Sequence, residues 1–266
     1  MKKITKEVFI AIIASVIAAA AIAVINSLLH PKYKVGEIVS FGQYEQNNGK
    51  EPIEWYVLDE KDGSYLLLSR YILDARCFND NNVDISWEKS TLRTWLNTEF
   101  MDEVFTSSEK NKIQTVINSN PNNEKYGTIG GNATKDQIFL LSIPEAEKYL
   151  SLEMGLGYST NYAVVKGAVS YDAYQASNLE TSYSENDALE VIKILFKDVE
   201  EPRYIIKTKC VAWYLRSPGC KQNYAAQIRN KHISEVFSSV SELISYSGAK
   251  VDFYMGGIRP ALWYKP

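Results

Sequence analysis

The chain has 266 residues, 45% of them apolar, with 29 Lys and Arg, 32 Asp and Glu, two histidines (His30 and His232) and three cysteines. Beyond the first 34 residues, 24 basic side chains face 31 acidic ones, a net charge near −7. That balance argues against nucleic acid as a partner, which needs a basic surface; so few His and Cys, with no C-x-x-C spacing, exclude a multi-histidine metal site and a disulfide framework.

From Val8 to Leu29 the run VFIAIIASVIAAAAIAVINSLL holds no charged side chain, and only Ser15, Asn26 and Ser27 are polar. As a helix this stretch covers about 33 Å, enough for a hydrocarbon core of about 30 Å in which backbone polar groups must be bonded internally. A helix of that length in a soluble core would carry a polar stripe, and none is present. Lys2, Lys3 and Lys6 precede the run and should stay cytoplasmic under the positive-inside rule. Residues 1–7 therefore read as a basic cytoplasmic stub, 8–29 as a transmembrane helix or uncleaved signal anchor in the lipid bilayer, 30–34 as a spacer, and 35–266 as one extracytoplasmic domain. The competing reading is a cleaved secretory signal using Ala19 to Ala23. The apolar run continues past those alanines through Val24, Ile25, Leu28 and Leu29, beyond the roughly 7 to 15 residues usual for such a signal. Both readings export the domain.

Within the domain, VGEIVSFG and EWYVLDEK read as strands, and Asp62-Gly63 is a type I′ turn signal leading into SYLLLSRY, hence a hairpin. Between Ser86 and Phe105, the residues Leu92, Trp95, Leu96, Phe100, Val104 and Phe105 fall on one helical face. Thr106 with Glu109 gives a capping box for a second core-facing helix. The run SNPNNEKYGTIGGNAT, between Asn118 and Thr134, is rich in turn formers and reads as an exposed loop; its Gly130-Gly131 is not a phosphate loop. QIFLLS then delivers Ser142 as the N-cap of a helix with Pro144 in its first turn, Glu145 at its third position, and Ala146, Tyr149 and Leu150 facing inward.

Around 184–199, Leu189, Ile192, Leu195, Phe196 and Val199 recur at helical spacing, as a packed surface helix or a docking helix for a partner would show. The C-terminal third, CVAWYLRSPG, NYAAQIRN, HISEVFSSVSELISY and VDFYMGGIRPALWY, reads mainly as strands. Val211, Trp213 and Leu215 alternate with Ala212, Tyr214 and Arg216, which predicts one core face; Arg216 then pairs with a carboxylate, and Arg259 beside Pro260 reads as an ion-paired strand arginine. Cys210 and Cys220 flank this strand and its turn, so a cross-strand disulfide and two small buried thiols are both open. Of 18 tyrosines, Tyr158, Tyr162, Tyr171, Tyr174, Tyr183, Tyr224, Tyr246 and Tyr254 gather in the second half, where they suit either a recognition surface or the edges of a β-rich core. A Ser-His-Asp or Cys-His arrangement would have to use His232, and NKHISE offers no nucleophile-elbow pattern.

Five phrases stand out together: VGEIVSFGQYEQNNGKEPIEWYVL, LRTWLNTEFMDEVFTSSEKNKI, GGNATKDQIFLLSIPEAEKYL, WYLRSPG followed by NYAA, and GIRPALWY. They resemble a bacterial domain family without assigned function, common in surface and secreted proteins of Gram-positive gut bacteria, over Val35 to Trp263. The resemblance implies an α+β domain with a C-type-lectin-like or formylglycine-generating-enzyme-like fold. The stretches Ala176 to Lys209 and Lys231 to Val251 are longer than in the family pattern. In such folds the late loops present side chains from a rigid scaffold, which makes Tyr214, Arg216, Asn223, Tyr224, Asp252, Tyr254 and Arg259 the candidate ligand-binding residues. The expected function is a non-catalytic recognition module for a glycan, peptide or envelope component, with no metal or cofactor. One alternative is a formylglycine-generating or hydrolytic enzyme: Cys210 and Cys220 lie in a region comparable to the copper-handling pair of the former, ten residues apart and without its surrounding pattern. Another is an assembly partner docked through the 184–199 helix.

Overall fold

The structure, a computed structural model, describes Val8 and residues 11–19, 32–168, 211–229 and 237–266. Strand β1 (Ile38–Glu45) pairs antiparallel with β2 (Lys50–Lys61), which turns into β3 (Ser64–Ser69). The turn residues Asp62 and Gly63 both have positive φ, 52° and 73°, as a type I′ hairpin requires. After β3 the chain leaves this sheet and forms β4 (Asp74–Ala75) in a second one.

Ser90 caps α1 (Thr91–Trp95), its side chain accepting from the Arg93 N–H, and the helix runs through a π-helical stretch (Leu96–Phe100) into α2 (Met101–Val104). Leu92, Trp95, Leu96, Phe100, Val104 and Phe105 are all buried, as their spacing predicts. Phe100 meets Tyr44 and Phe105 meets Phe41 at centroid distances of 5.1 and 5.0 Å, which fixes the helix on β1. The Thr106–Glu109 capping box forms, but α3 (Ser107–Lys110) is a single turn that buries no residue, so the expected second core helix is corrected to a corner. Ile113, the next apolar residue, bridges to Tyr264 instead of extending the helix.

Strands β5 (Val116–Asn118) and β6 (Thr134–Asp136) pair at the base of the long loop. Tyr126 and Ile129 are exposed as expected, whereas Asn120 and Asn123 are buried. Asn123 Nδ2 donates to the carbonyls of Pro218 and Tyr246, both at 2.8 Å, while its Oδ1 accepts from the backbone N–H groups of Lys125 and Tyr126. Turn-forming composition is thus no guide to exposure when the amide bonds backbone groups of distant strands. Then come β7 (Ile138–Phe139), α4 (Ile143–Tyr149) with the predicted Ser142–Glu145 capping box, α5 (Leu152–Gly155) and α6 (Asn161–Val165).

The remaining described elements are β8 (Trp213–Pro218), β9 (Tyr224–Ile228), α7 (Val240–Leu243), β10 (Ile244–Lys250), β11 (Gly257–Ile258) and β12 (Ala261–Tyr264). Part of the segment expected to be strand-like is therefore the helical turn α7. The first sheet has the order β1-β2-β3-β12-β7, the second β10-β9-β8-β11-β4. Pairing is antiparallel except between β11 and β8. The domain is α+β, mostly sheet with short helices, and residues of both sheets join one buried cluster. Strand β8 is buried on both faces rather than one. Tyr214 packs on Phe78 at 5.8 Å and Arg216 pairs with Glu145 of α4, so the side expected to be polar is covered as well.

Two of the chain's crossings between these sheets are short, from Ser69 to Asp74 and from Ile258 to Ala261. Arg259 sits in the second crossing, fully buried. Its Nε and Nη2 donate to the Ser69 carbonyl at 3.0 and 2.8 Å, Nη2 also to that of Arg70, and Nη1 to that of Met154 at 2.7 Å, with the guanidinium 4.7 Å from the Trp213 ring centroid. One side chain thereby ties both crossings together.

The expected helix at 184–199, together with Tyr171, Tyr174, Tyr183, Cys210 and His232, lies outside the described residues. Of the expected span 8–29, Val8 and residues 11–19 are described, helical and exposed. Among the described residues, no helix is long and apolar enough to cross a membrane.

Candidate functional site

The segment that follows the first crossing, YILDARCFND, puts a carboxylate inside an otherwise apolar run, and this is where the cleft opens. Asp74 lies on β4, the edge strand of the second sheet, and is 1% exposed. Its Oδ2 accepts from the Tyr44 hydroxyl at 2.7 Å and its Oδ1 from the Ala75 N–H at 2.7 Å. Burial pushes the Asp74 carboxyl above the ordinary aspartate range, against the opposing pull of these hydrogen bonds and of the Arg76 and Lys166 charges. Tyr44, buried beside that carboxylate, is likewise raised and keeps its proton.

Around Asp74 the cleft encloses about 670 Å³, lined by the loop after β4, the start of α1, Lys166 at the end of α6, and Tyr254. The Thr91 hydroxyl accepts from the Asp80 N–H at 3.1 Å and the Phe78 carbonyl accepts from Leu92, so the loop is fastened to the helix it faces. On the rim stand three cations, Arg76, Lys89 and Lys166, and two carboxylates, Asp80 and Glu99, all exposed. Arg76 lies with its guanidinium 4.1 Å from the Trp95 ring centroid and its Nε 3.9 Å from Asp74 Oδ2. Lys89, Lys166, Asp80 and Glu99 form no ion pair among the described residues.

Cys77, half-buried in the same wall, donates its thiol to the Asp252 carbonyl at 3.2 Å. Burial and the nearby Asp80 and Asp252 charges push it up to about 11, so at neutral pH it is a thiol and a poor nucleophile. Cys77 and Cys220 are free thiols. Among the described residues, no group of three His, Cys, Asp or Glu is placed to hold a metal ion.

Of the seven residues read from sequence as ligand-binding, Tyr254 lines the cleft. Asp252 is behind it, touching Cys77 through its backbone. Tyr214 is fully buried beneath, its hydroxyl donating to the Phe253 carbonyl at 2.9 Å and the Lys250 carbonyl at 3.1 Å, and so shapes the turn that carries Tyr254. Asn223 supports the same turn, its carbonyl accepting from Val251 while Nδ2 donates to Asn82 at 2.9 Å. Tyr224 is half-buried at the start of β9. Arg216 is 2% exposed, bonded by both Nη atoms to Glu145 and further to the Leu140 carbonyl at 2.6 Å, as an ion-paired structural arginine would be. Arg259 is the corner clamp described above. The residues that do form the cleft, Asp74, Arg76, Lys89, Trp95 and Lys166, were not singled out for binding, and the charged residues of YILDARCFND were the one available signal.

Residues 62–266 match the family described as Domain of unknown function (DUF6273). The chain belongs to that family. The DUF6273 match starts at the hairpin turn Asp62 and includes every residue lining the cleft, while Tyr44, which holds Asp74, comes from β1 ahead of the matched region. No curated protein and no solved structure matches the chain.

Proposed function

We propose that the protein is a membrane-anchored, extracytoplasmic recognition module that binds a glycan, peptide or cell-envelope ligand in the cleft beside β4. The observation that carries this reading is the cleft itself. It is within the size range of small-ligand sites, roughly 300 to 1,000 Å³, and exposed charged side chains of both signs, Arg76, Lys89, Lys166, Asp80 and Glu99, converge on it. The membrane anchor and the outward orientation rest on the uncharged run from Val8 to Leu29 and the lysines before it. The C-type-lectin-like or formylglycine-generating-enzyme-like scaffold rests on the sequence phrases quoted above. In keeping with such a scaffold, segments far apart in the chain meet around one opening.

Full-length protein in lipid nanodiscs, probed on glycan and peptide arrays, should retain ligands of at least one class. Silence on both arrays from a well-folded sample overturns the recognition reading. For the orientation, protease added to intact cells should remove the C-terminal domain; if it is spared until the cells are lysed, the exterior placement is wrong.

A further inference from the structure

The charges around the cleft narrow the ligand class, on the footing of the recognition reading above. Arg76 is 45% exposed, yet its orientation is set from two sides, by the Trp95 ring below and the buried Asp74 carboxylate beside it. Its backbone N–H is tied to the Gly256 carbonyl at 3.2 Å. None of its side-chain N–H groups is hydrogen-bonded to a described residue. A guanidinium held over a ring with N–H groups not hydrogen-bonded to any described residue is matched to a carboxylate, which it can take bidentately. Lys166 adds a second cation close enough to act on the same Asp74.

A carboxylate alone does not fit the whole rim, because Asp80 and Glu99 also face the cleft, with no ion pair among the described residues, and would repel a purely acidic ligand. A neutral sugar could hydrogen-bond these groups but brings no opposite charge to either set. The platform that a sugar ring would stack on is also taken: Trp95 is 9% exposed and Arg76 lies over its ring. We infer that the ligand is a peptide carrying charges of both signs, its carboxylate seated on Arg76 and Lys166 and its cationic group facing Asp80 and Glu99.

The test uses full-length protein in nanodiscs and four probes: short peptides with blocked termini carrying one lysine and one glutamate, the same peptides with glutamine in place of glutamate, uronic-acid oligosaccharides, and neutral oligosaccharides. The glutamate peptides should bind about tenfold tighter than the glutamine ones, as one charge-assisted hydrogen-bonded contact would give. Arg76→Gln should erase that ratio with the melting temperature unchanged, and Arg76→Lys should keep part of it. Equal affinity for the two peptide sets, or a ratio that survives in a folded Arg76→Gln protein, overturns the inference. Retention of either oligosaccharide without the peptides overturns it too, while leaving the recognition reading standing. Loss of binding to every probe counts against both.

Discussion

Two carboxylates, Asp74 fully buried and Glu145 half-buried, show how the same side-chain chemistry is used in opposite ways. Burial alone would raise Glu145, but the Arg216 charge and hydrogen bonds from Arg216 and Ser142 outweigh it and hold this carboxyl below the ordinary glutamate value. Its contribution to stability is therefore complete above the unfolded-state value near pH 4.3, and is lost as pH falls through the lower folded value. Glu145→Ala strands the buried Arg216 and should cost about 3 kcal/mol at pH 7 in urea unfolding, with the deficit shrinking in acid below about pH 4. A constant deficit across that range would mean that the pair is not the source. Asp74 works in the other direction. With its folded value raised, the stabilising proton is fully present only below about pH 3.9, and its contribution fades as pH rises through the folded value. Asp74→Asn should accordingly melt at a temperature that improves on the wild type's as pH is taken from 4 to 7. A temperature difference independent of pH would contradict a raised carboxyl at this site.

At the scale of elements, two glycines with left-handed backbones should behave differently because their surroundings differ. Gly63, in the β2–β3 turn, has nothing within 4 Å of where a Cβ would stand, so Gly63→Ala carries only the backbone term, about 1 kcal/mol. At Gly42 in β1, where φ is 69°, a Cβ would come within 2.5 Å of the Phe105 ring and 2.8 Å of Val104. Gly42→Ala should add overpacking to the same backbone strain and cost about 3 kcal/mol or more. Chemical denaturation of the two variants side by side checks the contrast, and similar losses would mean that β1 moves off the helix freely.

The elements legible in the sequence were those specified by neighbours in the chain. Asp62-Gly63 required a hairpin, Ser142 with Glu145 a helix start, and the spacing from Leu92 to Val104 a buried helical face; each is present. What local pattern did not convey is where strands lie in a sheet. Alternation along Val211 to Arg216 suggested one buried face, but a strand in the middle of the second sheet is covered on both. The same holds for the cleft. Asp74, Trp95, Lys166 and Tyr254 come from four separate stretches, and only the sheet crossing next to β4 brings them together. The buried Asn120 and Asn123 were misread for a related reason, since their partners lie about a hundred residues away.

For the whole molecule, the decisive feature is the position of β12. The last strand of the chain lies between β3 and β7, its residues pairing from Ala261 with Leu68 to Tyr264 with Tyr65. Ala261 and Leu262 are fully buried, so removing residues 261–266 takes out an interior strand rather than a tail. The truncated protein should show no cooperative melting transition by circular dichroism, and a sharp transition near that of the full chain would mean that the first sheet closes without β12.

A strand that comes after its neighbours in the chain yet fills an interior position imposes an order of events on the polypeptide. During synthesis the first sheet has a gap where its inner neighbour belongs, and β3 and β7 wait with unsatisfied edges until residues 261–264 are translated. That sheet is therefore completed only after every strand ahead of β12 has been made, and whatever handles the newborn polypeptide before then meets it open.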